Sequence, residues 1–192
     1  KILFPKDLKE IIFKEKINYF GGPPLHSKWI IESKKKKYLE KLISSGDFIS
    51  DEIINKYLKK KYKFNFYYMY GLSEVGGRFC INRIKNDKFK FYVGRPLKYF
   101  KVKNKENKTD QIIISSRYLY FGYYLKDKFY IRKSNDFKTG DIGKINSNNL
   151  KLSGRVSEIF KSSGVMVYPL MIKKLMMKSG WFKDIFIFKG YI

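Results

Sequence analysis

Near the start of the chain, apolar residues recur at helical spacing. The stretch 7–17 (DLKEIIFKEKI) sets Leu8, Ile11 and Ile12 on one stripe with Glu15 at its edge. Asp7, just after Pro5, supplies an N-cap. The pattern then predicts a short strand at 17–20, a turn at Gly21-Gly22-Pro23-Pro24 and a second helix over 25–32. Residues 38–43 lead into Ser44-Ser45-Gly46-Asp47, and Ser50-Asp51-Glu52 opens a third helix with Ile53, Ile54, Tyr57 and Leu58 on one face. The aromatic run 64–69 alternates poorly and reads as a strand covered on both faces. Helix and strand alternate through this first third, which is the pattern of parallel strands.

After Phe79 the texture changes. Short runs at 89–93, 98–102, 111–115 and 150–152 are separated by Asn, Asp, Lys and Gly, the rhythm of antiparallel strands and tight turns. A further strand pair is expected at 158–161 and 165–167, then a helix over 170–178 opened by Pro169, then a strand at 184–188. The fold class expected is α/β in the mixed α+β sense. It divides into an α/β portion at 1–80, a β-rich subdomain at 81–153 and a small C-terminal unit at 154–192. There is no internal repeat and no Pro/Ser-rich linker.

Composition adjusts this picture only slightly. With 192 residues and 44% apolar content, the chain has enough material for a real core, and 17 Phe with 16 Tyr exclude a solvated coil. The formal charge of +25 raises nucleic acid or an anionic surface as a partner. Yet the chain has no alanine, a single glutamine (Gln111) and only six arginines among its 42 basic residues. That is the residue set of AT-rich codons, so the lysines need no nucleic acid to explain them. Nucleic-acid readers favour the bidentate guanidinium and concentrate charge on one element.

Cys80 alone makes no intramolecular disulfide, which fits a reducing cytoplasm. Its neighbours Phe79 and Ile81 point to a buried thiol, and one His (His26) with one Cys argues against zinc. No segment approaches the roughly 20 apolar residues of a membrane span, and the opening Lys-Ile-Leu-Phe-Pro lacks a secretory pattern. A soluble, cytoplasmic protein is expected.

The chemistry concentrates at Tyr70-Gly71-Leu72-Ser73-Glu74, where an aromatic strand ends in a ring, a close-approach glycine, a hydroxyl and a carboxylate. Downstream stand Thr139-Gly140-Asp141 and Gly154-Arg155. Taken singly, each has a plain structural reading: Tyr70 as core filler, Ser-Glu as a helix start, Thr-Gly-Asp as an ordinary turn. Taken in this order, the three sites resemble the nucleotide-binding landmarks of the adenylate-forming superfamily. That superfamily includes acyl-CoA and aryl-CoA ligases, firefly luciferase and the adenylation domains of peptide synthetases. Gly22-Pro23-Pro24-Leu25, Gly94-Arg95-Pro96-Leu97 and Tyr120-Phe121-Gly122-Tyr123-Tyr124 resemble further segments of the family.

The resemblance implies a set of roles. Tyr70 stacks on adenine, with Ser45, Gly46 and Asp47 in the turn that covers its other face, where serines stand in place of the family's first two glycines. Gly71 allows close approach, Ser73 meets the α-phosphate and Glu74 helps to hold Mg²⁺. Asp141 receives the ribose hydroxyls as a double acceptor, and Arg155 reaches ribose or phosphate. Val75, Gly76 and Gly77 match positions lining the acyl pocket, although glycines after a strand also serve turns. The segment 153–164 resembles the hinge and first hairpin of a mobile lid, with Ser157 at the hinge and Lys161 facing the site in the second half-reaction.

The activity implied is activation of a small carboxylic acid with ATP to an acyl-adenylate. CoA or a carrier-protein pantetheine arm then displaces AMP. Two family features do not occur in the sequence: the Ser/Thr/Gly-rich phosphate loop with its lysine, and the late lysine that bridges carboxylate and phosphate. Alone, the chain is therefore expected to adenylate little or nothing. It reads as an excerpt of a longer enzyme or a decayed gene product, and the start at Lys1 favours the excerpt. The alternative function is a non-catalytic basic binding module contacting nucleic acid or acidic lipid.

Overall fold

A computed structural model describes residues 5–60, 62–86, 92–104, 110–182 and 185–190. The first third alternates as the pattern predicts. Helix α1 (Pro5–Lys14) precedes strand β1 (Tyr19–Gly22), α2 (Pro24–Glu32), β2 (Lys41–Ser44), α3 (Asp51–Lys59) and β3 (Asn65–Tyr70). Helix α1 begins at proline, which suits a first helical position, so Asp7 lies in the first turn and not at the cap. Its buried stripe is Leu8 and Ile12, while Ile11 is 37% exposed. The helix stops where Lys16 turns to φ 50° and the Ile17 amide donates back to the Ile12 carbonyl at 3.0 Å. That closure consumes Ile17 and moves β1 later than its apolar spacing suggests.

The other helices are punctuated locally. Pro24 opens α2 behind Pro23, and Ser50 caps α3 by accepting from the Ile53 amide at 3.4 Å. Strand β3 buries Phe66, Tyr68 and Met69 and leaves Asn65 and Tyr67 half-covered. Strands β1, β2 and β3 run parallel in that order. Antiparallel β4 (Cys80–Arg83) and β5 (Arg95–Pro96) then complete a five-stranded sheet.

The second sheet is antiparallel, in the order β11-β10-β7-β6. Its strands are β6 (Lys101–Asn104), β7 (Gln111–Ser115), β10 (Asp136–Asn146) and β11 (Asn149–Arg155). Strands β8 (Gly122–Leu125) and β9 (Lys128–Ile131) form a separate hairpin. The strand expected at 89–93 falls largely outside the described residues, and that expected at 98–102 begins at Lys101. A 3-10 turn at Val156–Glu158 displaces the next strand, so the terminal hairpin is β12 (Phe160–Ser162) with β13 (Val165–Val167), followed by α4 (Pro169–Met177). Of the strand expected at 184–188, residue 184 lies outside the described residues and 185–188 are not in a strand; among the described residues β12 and β13 pair only with each other.

One continuous core joins the two sheets: Leu42 and Phe66 from the first cluster with Ile112, Ile114 and Leu150 from the second. The junction is sealed by Val93 donating to Leu150 at 2.8 Å and Leu150 donating to Gly94 at 2.9 Å. Among the described residues no helix is long and apolar enough to cross a membrane.

Phe66 is fully buried at the centre of this core. Phe66→Ala is expected to lower unfolding free energy by about 3–5 kcal/mol, whereas Ile11→Ala on the outer face of α1 changes it by less than about 1 kcal/mol. Denaturant titration of both variants checks this, and similar losses would contradict the packing described.

Candidate functional site

Strand β3 delivers Tyr70 to the end of the parallel sheet, and the chain then reverses within a few residues. At Gly71 an added Cβ would meet the Gly77 carbonyl oxygen at 1.5 Å, so no other residue fits there without moving the backbone. Ser73–Val75 forms a 3-10 turn, closed by the Gly77 amide donating to Leu72 at 2.8 Å. Gly76 and Gly77, at φ 76° and 85°, shape this reversal, and Val75 points into the core at 3% exposure.

Opposite Tyr70, strand β10 carries a register break between Lys138 and Ile142. Gly140 takes φ 76°, and the Thr139 hydroxyl donates to the Ile112 carbonyl at 3.0 Å while accepting from the Asp141 amide at 3.0 Å. The bulge re-aims the following side chain. Asp141 is thereby directly opposed to Arg155 on β11 and is only 5% exposed.

Its carboxylate is held from two sides. Tyr70 Oη donates to Oδ2, and Arg155 Nε donates to Oδ1 at 2.8 Å. Burial, followed by the neighbouring Asp141 charge, pushes the Tyr70 phenol above its ordinary range. The hydrogen bond to Asp141 holds the Arg155 guanidinium more firmly protonated.

These groups face a cavity of about 540 Å³. The loop after β2 also lines it, at Gly46, Asp47 and Phe48. This loop is stiffened by the Tyr68 hydroxyl donating to the Asp47 carbonyl at 3.3 Å and by the Phe48 amide donating to Asp47 Oδ1 at 2.6 Å. Helix α4 contributes Leu170 and Lys173 to the lining, together with residues 185–187. Lys173 Nζ lies 5.2 Å from the Phe186 ring, and Lys174 lies 4.8 Å from the Phe48 ring, its ammonium pushed down in pKa by burial.

Of the residues singled out in the sequence, Gly46, Asp47, Tyr70, Gly71, Asp141 and Arg155 line this one cavity. Ser45, Ser73, Glu74, Val75, Gly76, Gly77, Ser157 and Lys161 are not among its lining residues. The Ser45 amide is tied back to the Gly22 carbonyl at 3.0 Å, and the Glu74 carbonyl accepts from the Tyr120 amide at 2.8 Å. Ser73 and Ser157 are exposed in 3-10 turns, and Lys161 is exposed on β12 opposite Met166. Phe48, Leu152, Glu158, Lys173 and Ile185 line the cavity without having been foreseen. Phe48 alone carried a local signal, as the neighbour of the Gly46-Asp47 turn.

No family profile matches the sequence, and no curated protein matches it. Solved structures do match. The amide bond synthetase McbA from Marinactinospora thermotolerans superposes with a TM-score of 0.78 at 15% identity, over 95% of this chain and 40% of that one. Klebsiella oxytoca NpsA, in complex with 3-hydroxyanthranilyl-AMSN, gives 0.78 at 15% identity over 96% and 43%. O-succinylbenzoate coenzyme A synthetase from Bacillus subtilis, in complex with ATP and magnesium ion, gives 0.77 at 14% identity over 95% and 41%.

The raised Tyr70 phenol has a consequence for stability. Below the ordinary tyrosine value of about 10, the phenol is protonated in both the folded and unfolded chain, and its contribution is complete. As pH rises beyond that value and through the higher folded one, the unfolded chain releases the proton more readily and stability is lost. Tyr70→Phe removes this share, so stability measured by urea titration should fall less steeply with alkaline pH than in the wild type. An unchanged slope would contradict the burial of the phenol against Asp141.

The chain spans about two fifths of the length of these enzymes, and it has the fold of that part of the adenylate-forming enzymes.

Proposed function

We propose that this chain is the nucleotide-binding part of a ligase that activates a carboxylic acid with ATP. The observation that carries the reading is the buried Asp141 carboxylate, set in a cavity wall between Tyr70 and Arg155. An ionised carboxylate offers about four acceptor directions. Two are taken by Tyr70 and Arg155, and the remainder suit the two adjacent hydroxyls of a ribose. The Tyr70 ring and the Gly46–Phe48 loop line the same cavity, and an aromatic ring there suits stacking of a flat base. Arg155 commits its Nε to Asp141 and keeps its terminal nitrogens for a phosphate oxygen.

In the intact enzyme, an oxygen of the substrate carboxylate attacks the α-phosphorus of ATP. The bond to the bridging oxygen breaks, and pyrophosphate leaves with that electron pair. A thiolate, from CoA or a phosphopantetheine arm, then attacks the acyl carbon and AMP departs. The neighbours solved with ATP and magnesium ion or with an AMSN-type ligand support the nucleotide part of this reading.

The magnesium fit is narrow. No three His, Cys, Asp or Glu residues converge among the described residues. The family resemblance assigns Glu74 to an ion carried on the nucleotide's own phosphates, as Mg²⁺ commonly is, although Glu74 lies off the cavity lining. Without a phosphate loop and late lysine in its sequence, this chain by itself is proposed to bind the nucleotide and not to adenylate. Under this reading, residues 1–80 and 81–153 form the body of the site, and 154–192 begin a lid that pivots at Ser157 to bring Lys161 inward.

Calorimetric titration of AMP into the full chain tests the proposal. Saturable binding is expected, with Asp141→Asn weakening it by about tenfold or more and moderate salt leaving it nearly unchanged. Absence of binding, or an Asp141→Asn variant indistinguishable from wild type, would end the reading. A steep collapse with salt would instead favour the basic binding module.

A further inference from the structure

The β8–β9 hairpin leaves the body of the protein with both faces in solvent. Among the described residues its strands pair only with each other, in the register Tyr123↔Tyr130 and Tyr124↔Phe129. They are closed by a tight turn with Lys126 and Asp127 at φ 48° and 60°. Opposed residues share a face. Tyr124, Phe129 and Ile131 therefore lie on one side, where Phe121 stacks on Phe129 at 6.0 Å between centroids. Tyr123 and Tyr130 stack at 5.4 Å on the other. All are exposed, up to 71% for Phe121 and 78% for Tyr124.

The stem is firmly held. Arg132 donates from its amide to the Phe121 carbonyl at 2.9 Å and from Nε to the Tyr120 carbonyl at 2.8 Å. A contiguous exposed apolar surface of this kind marks an interaction site.

We propose that this hairpin docks the protein on an anionic lipid bilayer, as a peripheral contact independent of the nucleotide reading. Two observations select this partner. Aromatic side chains are exposed on both faces of the ribbon, and the headgroup region of a bilayer surrounds both faces of an inserted tip. Tyrosine and phenylalanine suit that region, with an apolar body and, for tyrosine, a polar end. The charge is complementary as well: Lys126 and Lys128 flank the tip and Lys133 follows the stem, against Asp127. A net charge of +25 then supplies long-range attraction to negative headgroups.

Co-sedimentation of the full chain with phosphatidylcholine vesicles, with and without phosphatidylserine, tests the proposal. Retention is expected only on the phosphatidylserine vesicles. Phe121→Ser combined with Tyr124→Ser should weaken it by about tenfold or more. Lys126→Ser combined with Lys128→Ser should weaken it to a similar extent. Lys34→Ser combined with Lys37→Ser, the same charge change in the exposed connection between α2 and β2, should leave it within about twofold. No retention on anionic vesicles overturns the proposal, including the case where an acidic protein is captured instead. Retention unaffected by the aromatic changes also overturns it, because that is the behaviour of diffuse basic adsorption.

Discussion

A carboxylate with almost no exposure, held by a phenol and a guanidinium, is the constraint on which this architecture turns. A carboxyl group as buried as that of Asp141 needs hydrogen-bonding partners, and these come from separate strands. Tyr70 stands at the end of β3 in the parallel sheet, and Arg155 at the end of β11 in the antiparallel one. Satisfying one charge therefore fixes how the two sheets meet at the cavity. The apolar junction at Val93, Gly94 and Leu150 does the same on the other side. Loss of either polar partner would leave the carboxylate with less compensation than its burial demands.

Local backbone devices make this convergence possible. The bulge at Thr139-Gly140 turns Asp141 into the cavity instead of along the sheet. The close passage of Gly71 beneath the Gly77 carbonyl lets the chain reverse so tightly that Tyr70 is left at the rim. The glycines at 76 and 77, at positive φ, serve this reversal and lie off the cavity at Tyr70 and Asp141. Helix α4 and residues 185–187 complete the enclosure from a later part of the chain, so the cavity is a product of tertiary contact.

Legibility in the sequence follows the range of the forces involved. Helices α3 and α4 were readable because Ser50 and Pro169 act on neighbouring residues, and β7 because its apolar run is bounded by polar turns; the turn expected at 21–24 is instead shared between the end of β1 and the start of α2 at Pro24. The β8–β9 hairpin was invisible as strands, since exposure on both faces removes the alternation that reveals one. The length of β10 was hidden because its bulge breaks the period at Gly140. Residues 185–188 carry a strand-like composition but find no partner strand. In the site, Tyr70, Asp141 and Arg155 were recognisable from short motifs. Leu152 and Lys173 carry no motif and reach the cavity only through packing, so no local pattern could have named them.

The proposed nucleotide role requires adenosine monophosphate to occupy the cavity bounded by Tyr70, Asp141 and Arg155. Photolabelling of the full chain with an azido-adenine analogue of AMP, followed by peptide mapping, addresses that most directly. The label should fall on Tyr70 or on the Gly46–Phe48 loop and should be suppressed by excess AMP. Labelling confined to surfaces away from this cavity, or labelling that excess AMP does not reduce, would contradict it.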